Sequence, residues 1–131
     1  MAKAIHAMFR VQNEDRSIAF YQSAFGLKVA DKFEFDDFTL IYLRNDDADF
    51  EVELTVNKNA DAPYDLGNGY GHLAFSVDDL DAEHERFIAK GLMPKDKKTL
   101  EHNGKPLARF FFVEDPDGYK IEILQRQGRY T

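Results

Sequence analysis

Two histidines and two glutamates recur at almost the same spacing in the two halves of this chain. His6, in IHAMFRV, precedes His72, in GHLAFSV, by 66 positions, and Glu53, in EVELTV, precedes Glu122, in YKIEIL, by 69. Two imidazoles and two carboxylates make an N2O2 donor set. Imidazole favours Zn, Ni, Co and Fe, carboxylate adds charge compensation and hard oxygen, and water can fill the remaining positions of a divalent ion. The chain has no cysteine, so thiolate sites and disulfides are excluded and any metal must be held by His, Glu or Asp. Glu53 sits between Val52 and Leu54, and Glu122 between Ile121 and Ile123. A carboxylate in so apolar a strand is costly to bury unless it is paired or metal-bound. A strand with one solvated face produces the same alternation, so the pattern alone leaves both readings open. His84, in DAEHERF, and His102, beside Asn103-Gly104, have no counterpart at the repeat offset. His84 is expected on the surface of a charged helix, and neither is assigned as a ligand.

Elements must exist that bring the four residues together, and the repetition supplies them. Residues 4–56 and 71–125 read as two copies of one βαβββ module, joined by the Asn-, Asp-, Gly- and Pro-rich linker 57–70 within a single domain over 1–131. The fold class is therefore α+β, with two tandem modules forming curled mixed sheets. In the first copy Asn13 caps a helix whose first turn holds Glu14 and Asp15; Ile18, Tyr21 and Phe25 follow at helical spacing and Gly26 stops it. In the second, Asp78 or Asp79 caps, Leu80, His84, Phe87 and Ile88 carry the period, and Gly91 ends it. Alternating stretches predict further strands over Leu27–Phe35, Phe38–Leu43, Phe50–Val56, Lys98–His102, Leu107–Val113 and Tyr119–Gln125. Asn103-Gly104 signals a tight hairpin, and Asp115-Pro116-Asp117-Gly118 a turn between the last two strands. If each sheet curls into a trough with its first and last strands side by side, inward side chains from both modules face one cavity.

Bulk properties narrow the partners. The chain has 131 residues, 44% of them hydrophobic, with 12 Phe and 6 Tyr, which is enough apolar surface to offset chain entropy. Its formal charge of -7 repels phosphate backbones and anionic lipid. No nucleic acid or membrane partner is expected. No signal-like apolar run precedes Arg10, and no stretch approaches the roughly 18 apolar residues of a membrane span, so a cytoplasmic location is expected.

The segments IHAMFRV with RSIAFYQSAFGLKV, EVELTVN, YDLGNGYGHLAFSVDD and VEDPDGYKIEILQR resemble the vicinal oxygen chelate superfamily (glyoxalase, bleomycin resistance, dioxygenase), and within it the glyoxalase I family, over nearly the whole chain. The resemblance implies that His6, Glu53, His72 and Glu122 are metal ligands. It implies isomerisation of the hemithioacetal of methylglyoxal and glutathione to S-lactoylglutathione, with Glu122 as main base and Glu53 as second acid/base or persistent ligand, roles that could be exchanged. It further implies that Arg10 and Asn57 contact the glutathione γ-glutamyl end; Lys105 and Arg109 are weaker candidates for the glycyl carboxylate. A guanidinium fork suits a carboxylate, and an amide both donates and accepts. Ni or Co is expected as cofactor, with Zn possible, and glutathione as co-substrate. The expected assembly is a homodimer with active sites shared between chains, since one open module needs another to close it. Asn68 stands where some family members carry an Arg. Two alternatives remain: a related dioxygenase or thiol transferase, which would use three ligands, and a ligand-sequestering resistance protein, which needs none.

Overall fold

The computed structural model describes residues 1–131. They form two compact units, Met1–Asp65 and Leu66–Thr131. The division falls inside the expected linker.

The N-terminal unit runs β1 (His6–Arg10), α1 (Glu14–Phe25), β2 (Lys28–Glu34), β3 (Phe38–Arg44) and β4 (Glu51–Asn57). Its sheet has the order β1-β4-β3-β2, so the first and last strands are neighbours, as the trough requires. β1 lies parallel to β4, and the two remaining pairs are antiparallel. The Asn13 side chain accepts the Arg16 amide at 2.9 Å, satisfying one of the orphan donors of the first turn. At the other end Gly26 takes φ 65°, a left-handed conformation that lets the amides of Gly26 and Leu27 close onto the carbonyls of Gln22 and Tyr21. The helix buries Ser17, Phe20, Tyr21 and Ala24. The expected stripe of Ile18, Tyr21 and Phe25 is thus rotated, and only Tyr21 lies at its centre. Small Ser17 and Ala24 allow the close approach that leaves Ile18 and Phe25 at the flanks. Phe9, Val11, Ile41, Leu43, Val52 and Leu54 complete this core.

The C-terminal unit repeats the plan with β5 (Leu73–Val77), α2 (Leu80–Ala89), β6 (Lys98–His102), β7 (Lys105–Glu114) and β8 (Lys120–Gln125). The sheet order is β5-β8-β7-β6, with β5 and β8 parallel. Asp79, rather than Asp78, caps α2 by accepting the Ala82 amide at 3.0 Å. Helical residues end at Ala89, and Gly91, with φ 71°, closes the turn: its amide bonds the Ile88 carbonyl and that of Leu92 the Phe87 carbonyl. Ile88 departs from the expected buried stripe and is exposed, one helical step beyond the core-facing Leu80 and Phe87. Asn103 and Gly104 both take positive φ, 52° and 75°, as a two-residue hairpin turn demands. That turn starts β7 two residues ahead of the expected Leu107. The buried Asp115 carboxylate accepts the amides of Asp117 and Tyr119, each at 2.9 Å, which holds the turn into β8. No helix is long and apolar enough to cross a membrane.

Candidate metal centre

Strand periodicity sorts the N-terminal sheet into two faces. Phe9, Ile41, Leu43, Val52 and Leu54 fill the buried one. His6, Met8 and Arg10 of β1 share the other with Glu51, Glu53, Thr55 and Asn57 of β4, because Met8 pairs with Glu53 and Arg10 with Thr55. On that face His6 Nε2 lies 3.0 Å from Glu53 Oε1. Tyr42 of β3 is the antiparallel partner of Glu53, and its hydroxyl donates to Glu53 Oε2 at 2.9 Å. The Tyr42 ring also stands edge-on to His6, with centroids 5.8 Å apart. The hydrogen bond to Glu53 raises the Tyr42 phenol above its ordinary pKa, with burial and the charges of Glu53 and Glu51 acting the same way. Glu53 is buried, at 7% exposure, with its polar atoms satisfied.

The C-terminal sheet builds the same pair. His72 Nε2 lies 3.3 Å from Glu122 Oε1. Phe112 of β7 faces Glu122 across the ladder and stands edge-on to His72 at 5.3 Å. His72 itself sits just ahead of β5 and not within it. The approach to β5 is tied down nearby, where the Tyr70 hydroxyl donates to the Lys120 carbonyl at 2.8 Å and its ring meets Tyr119 edge-on.

Both pairs fit the donor spacing of a bound cation. With metal–nitrogen and metal–oxygen bonds of about 2.1 Å, adjacent ligands stand about 3.0 Å apart at a right angle and about 3.4 Å apart at a tetrahedral one. The observed separations are 3.0 and 3.3 Å. Neither unit by itself gathers three such groups.

The remaining expected residues divide. Arg10 lies four strand positions beyond His6 and Asn57 four beyond Glu53, an even spacing that keeps them on the same face as that pair, about 13 Å along it. Asn57 Nδ2 donates to the Tyr64 hydroxyl at 3.1 Å. Arg109 does not join the pair in its unit: its guanidinium binds Asp81 of α2 at 3.0 Å, alongside Lys97 at 2.7 Å. These two hydrogen bonds lower the Asp81 pKa below its ordinary 3.8. The reason is register, since Arg109 alternates with Phe110 and Phe112 and so points to the helix side of β7. Lys105 opens β7 beside the hairpin turn, seven positions from Phe112 and so roughly 20 Å along the strand from the Glu122 level. His84 is half-buried, not simply on the surface: Nε2 lies 2.8 Å from the Lys95 carbonyl, and the ring meets Phe111 edge-on at 4.8 Å. Sequence reasoning missed Tyr42. Its only signal was an aromatic in β3, which acquires meaning once the β3–β4 register is known.

The glyoxalase/bleomycin resistance protein/dioxygenase superfamily model matches residues 3–123. The chain is 38% identical over 130 residues to the lactoylglutathione lyase of Neisseria meningitidis serogroup B, covering 95% of this chain and 91% of that one. It is 35% identical to the probable lactoylglutathione lyase of Synechocystis, covering 95% and 96%. Among solved structures, glyoxalase I from Zea mays superposes with a TM-score of 0.83 at 33% identity, over 96% of this chain but only 45% of the maize chain. The trypanothione-dependent glyoxalase I of Leishmania major superposes with a TM-score of 0.76 at 31% identity, over 95% of this chain and 87% of that one.

Proposed function

The chain belongs to the glyoxalase/bleomycin resistance protein/dioxygenase superfamily, and from that premise we propose that it is a divalent-metal lactoylglutathione lyase, isomerising the hemithioacetal of methylglyoxal and glutathione to S-lactoylglutathione. The observation that carries this reading is the doubled His–Glu pair, His6 with Glu53 and His72 with Glu122, at ligand spacing and at equivalent places in the two units. Four protein ligands argue against the dioxygenase and transferase alternatives, which leave one of these positions to oxygen or a second substrate.

The reaction moves the C1 proton of the hemithioacetal to C2 and the hydroxyl proton from the C1 oxygen to the C2 oxygen, with no gain or loss of atoms. A bound divalent ion would supply charge stabilisation to the two substrate oxygens as that proton leaves. Glu122 takes the C1 proton and returns it at C2. Glu53, buried and held by Tyr42, stays in place. Arg10 and Asn57, on the ligand face, hold the γ-glutamyl end of the thiol, with Lys105 as a weaker contact to the glycyl carboxylate. Arg109 is left out of this set because Asp81 already binds it. Asn68 lies exposed in a turn and offers no charge to the thiol, which makes the identity of the thiol a direct point of test.

Two half-sets of ligands must meet to make one site. In this reading they meet between the chains of a homodimer, His6 and Glu53 of one facing His72 and Glu122 of the other. Exposed Met8 and Phe33 on the ligand face favour a covering module. The cytoplasm, where glutathione is abundant and a cysteine-free chain needs no oxidising compartment, is the proposed location. Four N2O2 ligands with two waters give an octahedral site, which suits Ni and Co better than Zn.

Metal analysis of the purified protein, followed by stripping, reloading and a hemithioacetal isomerase assay, tests the reading. More turnover is expected with Ni or Co than with Zn, and with glutathione than with trypanothione. Absence of both bound metal and turnover after reloading would sink the assignment. Greatest activity with Zn at matched occupancy would overturn the metal preference alone.

A further inference from the structure

The two units place an aromatic residue opposite each carboxylate and edge-on to its histidine, and in that aromatic they differ by a single oxygen atom. In the N-terminal unit Tyr42 faces Glu53 across the ladder, packs edge-on against His6 and donates its hydroxyl to Glu53 Oε2 at 2.9 Å. In the C-terminal unit Phe112 holds the equivalent position, faces Glu122 and packs edge-on against His72. It has no hydroxyl to donate. Glu53 thus has Oε1 3.0 Å from His6 Nε2 and Oε2 anchored by the Tyr42 hydroxyl, whereas Glu122 has Oε1 3.3 Å from His72 Nε2 and a phenyl ring where that hydroxyl would be.

That difference matters because the two carboxylates have incompatible tasks. A persistent ligand must keep one oxygen aimed at the cation, and hydrogen bonds from neighbouring groups are the usual means of fixing it. A proton-transferring carboxylate must turn away from its ligand position and reach two carbon atoms in succession. A charge-assisted hydrogen bond from a part-buried phenol resists that rotation. The cross-strand neighbours on the opposite side also differ, Met8 beside Glu53 and Ala74 beside Glu122, but neither side chain can donate a hydrogen bond to a carboxylate, so the phenol oxygen is the group that can anchor one glutamate and not the other.

We propose that the Tyr42 hydroxyl is a positioning group that locks Glu53 as a permanent ligand, and that Phe112, by lacking a hydroxyl, leaves Glu122 mobile enough to transfer the proton. The proposal rests on the metal-dependent isomerase reading above, and adds to it a residue that assigns the two glutamates their separate roles.

Three variants test it: Tyr42→Phe, Phe112→Tyr and the two combined. Stripped protein is titrated with Co, following the visible absorption of the bound ion, and kcat and KM are measured on Co-loaded enzyme. Tyr42→Phe should weaken Co binding by about tenfold or more, the effect usual for removing an outer-shell partner, and alter the Co spectrum. Phe112→Tyr should leave Co binding equal or tighter and KM unchanged, yet lower kcat at least tenfold. The combined variant should place the anchored carboxylate on Glu122 and have the lowest kcat. Unaltered Co affinity and spectrum in Tyr42→Phe would overturn the positioning role. Unaltered kcat in a Phe112→Tyr enzyme that binds Co normally would overturn the mobility role. Wild-type protein that neither binds Co nor turns over the hemithioacetal would sink the parent reading and the proposal with it, an outcome distinct from a working wild type with indifferent variants.

Discussion

At the scale of single residues, ligand type and partner divide the work. Glu122 is the group assigned to proton transfer, and replacing it by Gln keeps the size while removing the base. Glu122→Gln should lower kcat by about 10²- to 10⁴-fold with Ni, Co or Zn alike, the span ordinary for loss of a general base, as read from steady-state rates at matched metal occupancy. Arg10 lies on the ligand face but about 13 Å from His6 along β1. In the proposed reading it binds the substrate and takes no part in the proton transfer. Arg10→Gln removes a charge-assisted contact of about 1.5–3 kcal/mol, so KM should rise by one to two orders of magnitude while kcat changes little. An equal fall in kcat at unchanged KM would contradict that division. The four ligand candidates were legible as sequence because two motifs recur at similar offsets. Tyr42 was not, since the loop 45–50 between β3 and β4 does not announce its register.

At the scale of elements, helix ends and hairpin turns were the most readable features, and the buried faces of the helices the least. Gly26 holds φ 65° with open space around the position of a Cβ. A side chain there meets no neighbour, so the cost of Gly26→Ala is the left-handed backbone alone, about 1 kcal/mol by urea denaturation. Gly69 has open space and no left-handed conformation; Gly69→Ala should cost much less. The bridge from α2 to β7 gives a second test. Asp81, bonded to Lys97 and Arg109, has a lowered pKa in the folded chain. A depressed carboxylate contributes stability above its unfolded pKa and loses it as pH falls through the folded value. Asp81→Asn should therefore lower Tm slightly at pH 7, and the gap to wild type should narrow on acidification below 3.8, as followed by thermal melts. The group is exposed, so added salt should also shrink the gap.

At the scale of the molecule, the proposed dimer carries a sharp expectation. A His6→Ala chain mixed with a Glu122→Gln chain gives heterodimers in which one shared site holds both lesions and the other holds none. Each heterodimer should recover roughly half of the wild-type activity, measured after verified subunit exchange. Sites built within one chain would leave a lesion in every site and give no recovery.

The βαβββ repeat, the cap at Asn13, the Asn103-Gly104 turn and the identity of the four candidate ligands were determined by the sequence itself. Each depends on local chemistry or on a pattern repeated along the chain. Three matters were decided only by tertiary structure. Parallel pairing of β1 with β4 and of β5 with β8 set each histidine beside its glutamate. The register of β7 turned Arg109 toward Asp81. The register of β3 on β4 placed a phenol on Glu53 and left only a phenyl ring facing Glu122. Cross-strand neighbours are fixed by long-range pairing, and a shift of one residue would turn every side chain to the opposite face. Spacing along a strand names the residues that can act; pairing between strands decides what each one touches.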